Sequence, residues 1–208
     1  MNTFAKERFL EKLILASSSP RRAEILTTVS WPFEAVTAGV DETQKNGEAP
    51  IDYVQRLARE KAEAVASAFE TGLVLGADTT VVVGEHLLGQ PLDDEDARRM
   101  LRLLKGKWHE VLTGVALVRI GGATKVDVET TRVRFAEMSK AEIDWYVATG
   151  EPRGKAGAYG IQGQAALFIE EIEGDYFNIV GLPIRLVYEM VFGLRSSAFE
   201  NHGVPTPQ

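Results

Sequence analysis

The chain contains no cysteine, which excludes disulfides, thiol nucleophiles and thiolate metal sites. Histidine is nearly as scarce: His86, His109 and His202 are scattered, with no partner at metal-ligand spacing, so no histidine metal centre is expected. Positive charge is in deficit, with 23 Lys and Arg against 30 Asp and Glu and a formal net charge of −7. That balance speaks against a general nucleic-acid binder, which shows a basic face, but leaves room for a small anion in a local basic pocket. No apolar run approaches membrane-spanning length, and residues 1–12 (MNTFAKERFLEK) are too charged for a signal peptide. A cytoplasmic protein with neither membrane nor nucleic-acid partner is therefore expected. Internal repeats and low-complexity tracts are missing, as are the G-x-x-x-x-G-K-[ST], G-x-S-x-G and H-E-x-x-H signatures.

What remains is an ordinary globular composition, 45% hydrophobic and 25% charged over 208 residues, enough for one domain, or one domain of two lobes, with a proper core. Residues 13–17 read as a buried strand, and 20–30 as a helix with Ser19 as N-cap and Pro20 in its first turn. A strand follows at 33–38. Pro50 opens a long helix whose Ile51, Val54, Leu57, Ala58, Ala62 and Val65 share one face, with Gly72 as its stop. "LVLGADTTVVVGEHLLGQP" predicts a buried strand, a break at Gly76 to Asp78, and a second strand turning at Gly84. "PLDDEDARRMLRLLKG" is a helix with acids in its first turn and bases towards its end. The β-rich runs 108–120 and 124–136 flank two glycines and predict a long hairpin. Ser139 and Glu142 form a capping box for a helix ending at Gly150. A Gly-rich stretch at 150–163, a strand near 165–173 and a last helix from about Pro183 to Gly193 complete the pattern, and 194–208 reads as a frayed tail. Interspersed strands and helices with one long hairpin mean a mixed α/β sheet with flanking helices.

Three stretches carry candidate chemistry. In "LILASSSPRRAEIL" a strand, a small-residue turn and a helix start would present free backbone N–H groups and the hydroxyls of Ser17, Ser18 and Ser19 to an anion. Arg21 and Arg22 oppose the helix dipole there, so they are either solvated surface residues or part of an anion site. In "GADTT" (76–80), Asp78 at the edge of an apolar strand is placed to act as general base, ligate a metal or do both; the alternative is a loop aspartate capping nearby amides. In "GKAGAYGIQG" (154–163), closely spaced glycines either let backbone approach a ligand or make a mobile connector. Gln162 offers a donor and an acceptor side by side, matching N3–H and O4 of uracil or thymine, provided its neighbours fix the amide's orientation. Lys61, beside Glu60 and Glu63, reads by default as part of a solvated helix face.

Taken together and in order, "LASSSPRRAEIL", "GADTTVVV", "KAGAYGIQG" and "GDYFNIVGLP" (174–183) resemble the Maf family of nucleoside-triphosphate pyrophosphatases over residues 13 to 193. The resemblance implies a single domain over 1–193 followed by a flexible tail at 194–208. It further implies two lobes around a deep cleft, similar to the inosine-triphosphate pyrophosphatases, and a homodimer. The implied reaction splits a nucleoside triphosphate into monophosphate and pyrophosphate with Mg²⁺ or Mn²⁺. Asp78 would be the general base, and Arg21, Thr79 and Gln162 would set base preference. Ser17, Ser19 and Arg21 would cradle the triphosphate, Lys61 and Lys155 would offset its charge, and Asp78 with Asp41 or Glu42 would hold the metal. Arg22 is left to pack or pair elsewhere. The form "AYGIQG" is similar to the branch acting on dTTP and UTP; the alternatives are the sister branch acting on 7-methylguanosine triphosphate and a non-catalytic nucleotide-binding regulator of septum formation. Two departures stand out: Gln90 replaces the lysine of a "GKP" stretch, and Gly154 replaces an aspartate ahead of Lys155.

Overall fold

Leu13–Ala16 are all buried and form strand β1 at the heart of the sheet. Pro20–Thr28 (α1) leads out of it, and Phe33–Val36 (β2) returns parallel to β1. Pro50–Ala66 (α2) then crosses to the long strand Leu73–Val83 (β3), parallel to β1 on its other side. His86–Leu88 (β4), Asp94–Leu104 (α3), the hairpin Trp108–Arg119 (β5) and Thr124–Phe135 (β6), and Lys140–Ala148 (α4) follow. Ile169–Glu173 (β7), Tyr176–Val180 (α5) and Ile184–Glu200 (α6) close the chain. The computed structural model describes residues 10–200. Its seven-stranded mixed sheet runs β2-β1-β3-β5-β6-β7, with β4 on the free part of β3. Among the described residues no helix is long and apolar enough to cross a membrane.

The core divides as a two-lobed protein requires. One face of β1, β3 and β5 (Leu13, Leu15, Leu73, Leu75, Val115, Leu117) packs on α1 and α6 through Ile25, Leu26, Val187 and Met190. The opposite face packs on α2 through Ala58, Ala62 and Val65. The far ends of β3, β5 and β6 form a separate cluster with α3 and α4, among them Val81, Val111, Phe135, Leu101 and Tyr146. Strands β3 and β5 run through both lobes.

Some expectations need correction. The sequence pattern breaks at Gly76 to Asp78, but β3 is continuous, because β5 pairs with it from Leu73 to Val82. Gly76 marks a close approach instead: a Cβ there would collide with the Ala58 carbonyl on α2. Gly114 on β5 plays the same part against Val54. Ile51 is 46% exposed in the first turn of α2, and Lys61 takes a place on the buried face. The strand expected near 165–173 is a 3₁₀ turn, Gln164–Phe168, followed by β7, whose pairing with β6 begins only at Ile169. The backbone of α6 continues past Gly193 to Glu200, since no proline interrupts it; residues 201–208 of the expected tail lie outside the described residues.

Candidate active site

Strand β1 covers the edge of β3 from Leu73 to Gly76, and β4 covers it from Val81 to Val83. Between them Ala77, Asp78, Thr79 and Thr80 have no strand partner on that edge, while β5 continues along the other. A cavity of about 600 Å³ opens at this gap, within the usual range of small-ligand sites. Both lobes and the Gly-rich segment line it. Because side chains alternate along a strand, Asp78 points towards α2 and Thr79 towards α1, so the gap displays both faces of the sheet to one space.

The turn between β1 and α1 forms one wall. Ser17 Oγ accepts hydrogen bonds from Ser19 N (3.2 Å) and from Arg22 Nη1 (3.1 Å). With both lone pairs taken, the Ser17 O–H is left to donate elsewhere. Ser19 makes no side-chain cap at the start of α1, and Pro20 has no N–H. Hydroxyl and amide donors are thus gathered at a helix N-terminus, the arrangement that suits an anion. The two adjacent arginines divide their work. Arg22 is a buried brace, donating from Nε to Gly181 O (2.8 Å) and from Nη2 to Thr79 Oγ1 (3.1 Å). Burial lowers its pKa and the nearby Asp78 opposes that, but a guanidinium stays charged. Arg21 sits at the rim and donates to Gly154 O at 3.1 Å, joining α1 to the Gly-rich segment.

Thr79 belongs to the same braced network. Its Oγ1 lies 3.0 Å from Thr113 Oγ1, which donates to Asn178 O at 3.3 Å. Thr79 Oγ1 also lies 3.4 Å from Gly181 O, so whether it donates there or to Thr113 its proton is spent inside the protein. Towards a ligand Thr79 offers an oxygen and a methyl group.

The opposite wall holds a charge cluster. The close approach of α2 over Gly76 and Gly114 lowers Lys61 onto the sheet, where its Nζ is 2.6 Å from Asp78 Oδ1 and 2.7 Å from Glu42 Oε1. Asp78 is only 7% exposed. Burial raises its pKa above the ordinary carboxylate value, against the pull of Lys61 and Arg22. A carboxylate with raised proton affinity beside a cavity is suited to general-base work. Tyr53 on α2 donates to the Glu42 carbonyl at 3.0 Å, and burial with the nearby Asp78 and Glu42 charges pushes its phenol up to about 12. Asp41 turns away, its carboxylate accepting from Thr43 N at 2.9 Å.

Ser17, Ser19, Arg21, Glu42, Lys61, Asp78, Thr79, Lys155 and Gln162 all line this one cavity. Lys155 donates to the Glu151 carbonyl, and burial and Arg21 lower its pKa. Gln162 is exposed on the cavity wall. Sequence reasoning missed Tyr53 and Glu151; it left Arg22 to pack or pair elsewhere, as it does, without naming its partners. Tyr53 lies about two turns before Lys61 on one helix, a spacing that could have signalled it. Arg22 and Glu151 act through partners distant in sequence, which no local pattern reveals. His86 and His109 are absent from the cavity lining, and His202 lies outside the described residues.

A protein-family model described as Maf-like protein matches residues 12–194. The dTTP/UTP pyrophosphatase of Symbiobacterium thermophilum is 52% identical over 182 residues, covering 88% of this chain and 93% of the relative. That of Hahella chejuensis is 53% identical over 189 residues, 88% of this chain and 94% of the relative. Among solved structures, the Staphylococcus aureus Ham1 protein superposes with a TM-score of 0.52 at 17% identity, covering 88% of this chain and 99% of that one, a likeness of fold alone.

Proposed function

The chain belongs to the Maf-like protein family, and we propose that it hydrolyses dTTP and UTP to the nucleoside monophosphate and pyrophosphate. The observation that carries the reading is Asp78, a buried carboxylate paired with Lys61 at the open edge of β3, facing the donor-rich turn at Ser17. In the proposed reaction Asp78 takes a proton from a water whose oxygen attacks the α-phosphorus. A new P–O bond forms, the bond to the bridging oxygen of the β-phosphate breaks, and pyrophosphate leaves. The Ser17 hydroxyl, the α1 N-terminus and Arg21 hold the phosphates, consistent with chemistry that needs mainly positioning and charge stabilisation.

The residues fit a divalent cation. Asp78 and Glu42 converge on one point, now neutralised by Lys61, and Mg²⁺ is commonly held by one or two carboxylates together with substrate phosphates. No group of three or more His, Asp or Glu suited to a metal occurs among the described residues, so the phosphates would complete the ligand set. The ion would supply charge neutralisation at the phosphoryl oxygens. A homodimeric state, implied by the resemblance, and cytoplasmic residence, expected from the sequence's charge and hydropathy, belong to the same proposal; light scattering and cell fractionation test them.

A second reading, nucleotide binding without turnover, draws on Gln90, an uncharged residue on the cavity wall where the family pattern has lysine. One assay separates the two. Pyrophosphate release is measured from a panel of canonical and modified nucleoside triphosphates, with Mg²⁺, Mn²⁺ or EDTA. Metal-dependent turnover led by dTTP and UTP is expected. Turnover led by 7-methylguanosine triphosphate would overturn the base preference alone, and binding without turnover would overturn the enzyme reading.

A further inference from the structure

Glu151 presents a problem in charge. It lies on the wall of a cavity that, on the reading above, receives a polyanion, and a carboxylate there opposes binding. Its oxygens are instead committed to donors within the protein. Oε1 accepts from Tyr146 Oη at 2.8 Å and from Ala165 N at 3.3 Å, and Oε2 accepts from Gln164 N at 2.8 Å. The Tyr146 hydroxyl in turn accepts from Gly160 N at 3.3 Å, and the Glu151 carbonyl accepts from Lys155 Nζ. A Cβ at Gly163 would collide with the same carboxylate, so a side chain there would push Glu151 off these donors.

These contacts fall at Gly160, Gly163, Gln164 and Ala165, on both sides of Gln162. Gln162, Gly163 and Gln164 are exposed and the segment is rich in glycine, hence costly to order, and the Glu151–Tyr146 pair holds it from beneath. We propose that Glu151 is a positioning residue for base recognition, fixing the backbone that aims the Gln162 amide into the cavity. The inference rests on the nucleotide reading above and deepens it: Glu151 sets which base is accepted without touching the phosphates. It bears on how the Gln162 amide meets a base edge, since the position and direction of its approach are set by a clamped backbone.

Glu151→Gln keeps the shape but presents an –NH₂ to one of the backbone N–H donors, so it cannot satisfy both sides. In this variant the kcat/KM preference for dTTP over dCTP should fall about tenfold, through a raised KM for dTTP with kcat within about threefold. Binding of dTMP, read by calorimetry, should weaken about tenfold, while pyrophosphate binding stays within about twofold. Tyr146→Phe removes the donor to Glu151 and the acceptor for Gly160 N; it should move the same ratios in the same direction and serves if Glu151→Gln does not fold. A folded variant with unchanged dTTP:dCTP preference and unchanged dTMP affinity would overturn the proposal, as would equal weakening of dTMP and pyrophosphate. If the wild-type protein does not turn over dTTP, the nucleotide-hydrolysis reading falls, and the dTMP-against-pyrophosphate comparison still decides the role of Glu151.

Discussion

Lys61–Asp78 and His109–Tyr159 are both buried pairs of titratable side chains, joined at 2.6 and 2.8 Å, and each links a sheet strand to another element. Their surroundings differ. Asp78 has Lys61 and Arg22 nearby and lies on the open edge of β3. His109 packs edge-on to Phe135 and Tyr159, in the lobe formed with α3 and α4; Tyr159 reaches the cavity wall, while His109 behind it does not. Burial lowers the His109 pKa to about 4 and raises that of Tyr159, so both stay neutral. Burial and a shifted pKa are common to the two pairs and do not distinguish a reaction site from an architectural tie. An acid with cationic partners, next to space a ligand can enter, does.

The sharpest way to break the comparison is to neutralise the charged pair. Asp78→Asn should lower turnover by about 10³-fold, the middle of the range for loss of a general base. The thermal midpoint should hold or rise, because a buried charge is removed and Lys61 keeps Glu42. Retained turnover would remove Asp78 from the chemistry; a lost fold, seen by circular dichroism, would make the pair structural like its counterpart.

The two pairs should also answer acid with opposite signs. His109 is depressed in the folded state, so between pH 6.5 and about 4 the unfolded chain binds more protons. Its contribution to stability is present above that window and lost as pH falls through it, by about 3 kcal/mol in full. Asp78 is raised above 3.8, so its protonated form favours the fold, and that contribution is lost as pH rises through the folded value. Denaturant titrations across this range should show His109→Gln flattening the acid-side loss, with turnover affected far less than in Asp78→Asn. An unchanged slope would mean that His109 does not report on the sealed lobe.

The contrast also explains what could be read in advance. The turn at Ser17 to Arg22 was legible because a short local pattern places small residues where β1 ends. Asp78 stood out as an acid in an apolar run, although it lies inside β3 and not at its end. The mixed sheet followed from the long hairpin, and the capping box at Ser139 and Glu142 is present as expected. Lys61 was not legible from residue chemistry alone, since its neighbours Glu60 and Glu63 suggest a solvated face. Its burial depends on glycines 76 and 114, far off in sequence, letting α2 settle on the sheet. The same dependence misled the reading of Gly76, where a glycine inside a strand marked helix contact rather than a break. Glu151, the partners of Arg22 and the Thr79–Thr113–Asn178 network stayed hidden for the same reason: each is defined by contacts that only the tertiary fold assembles.

The smallest expected effect tests how fully the charged side of the comparison is developed. Four cations, Arg21, Arg22, Lys61 and Lys155, line the cavity with three carboxylates, Glu42, Asp78 and Glu151. All four cations already bond within the protein: Arg22 to Ser17 and Thr79, Lys61 to two carboxylates, and Arg21 and Lys155 each to a carbonyl. Arg21 gives one N–H to Gly154 O and has others to spare. A lysine at position 90 would add a cation whose charge is not yet spent. In a solvated cleft such a contact contributes about 1 kcal/mol after screening and side-chain ordering, so Gln90→Lys should raise kcat/KM for dTTP about fivefold. A gain in KM alone would mean that the new charge binds substrate and transition state equally. A gain in kcat would place it near the charge that develops on departing pyrophosphate. The gain should shrink as salt is added, because the contact is solvent-screened. No gain at low salt would put position 90 away from the phosphates, and the low charge at that wall would then belong to the fold rather than to the site.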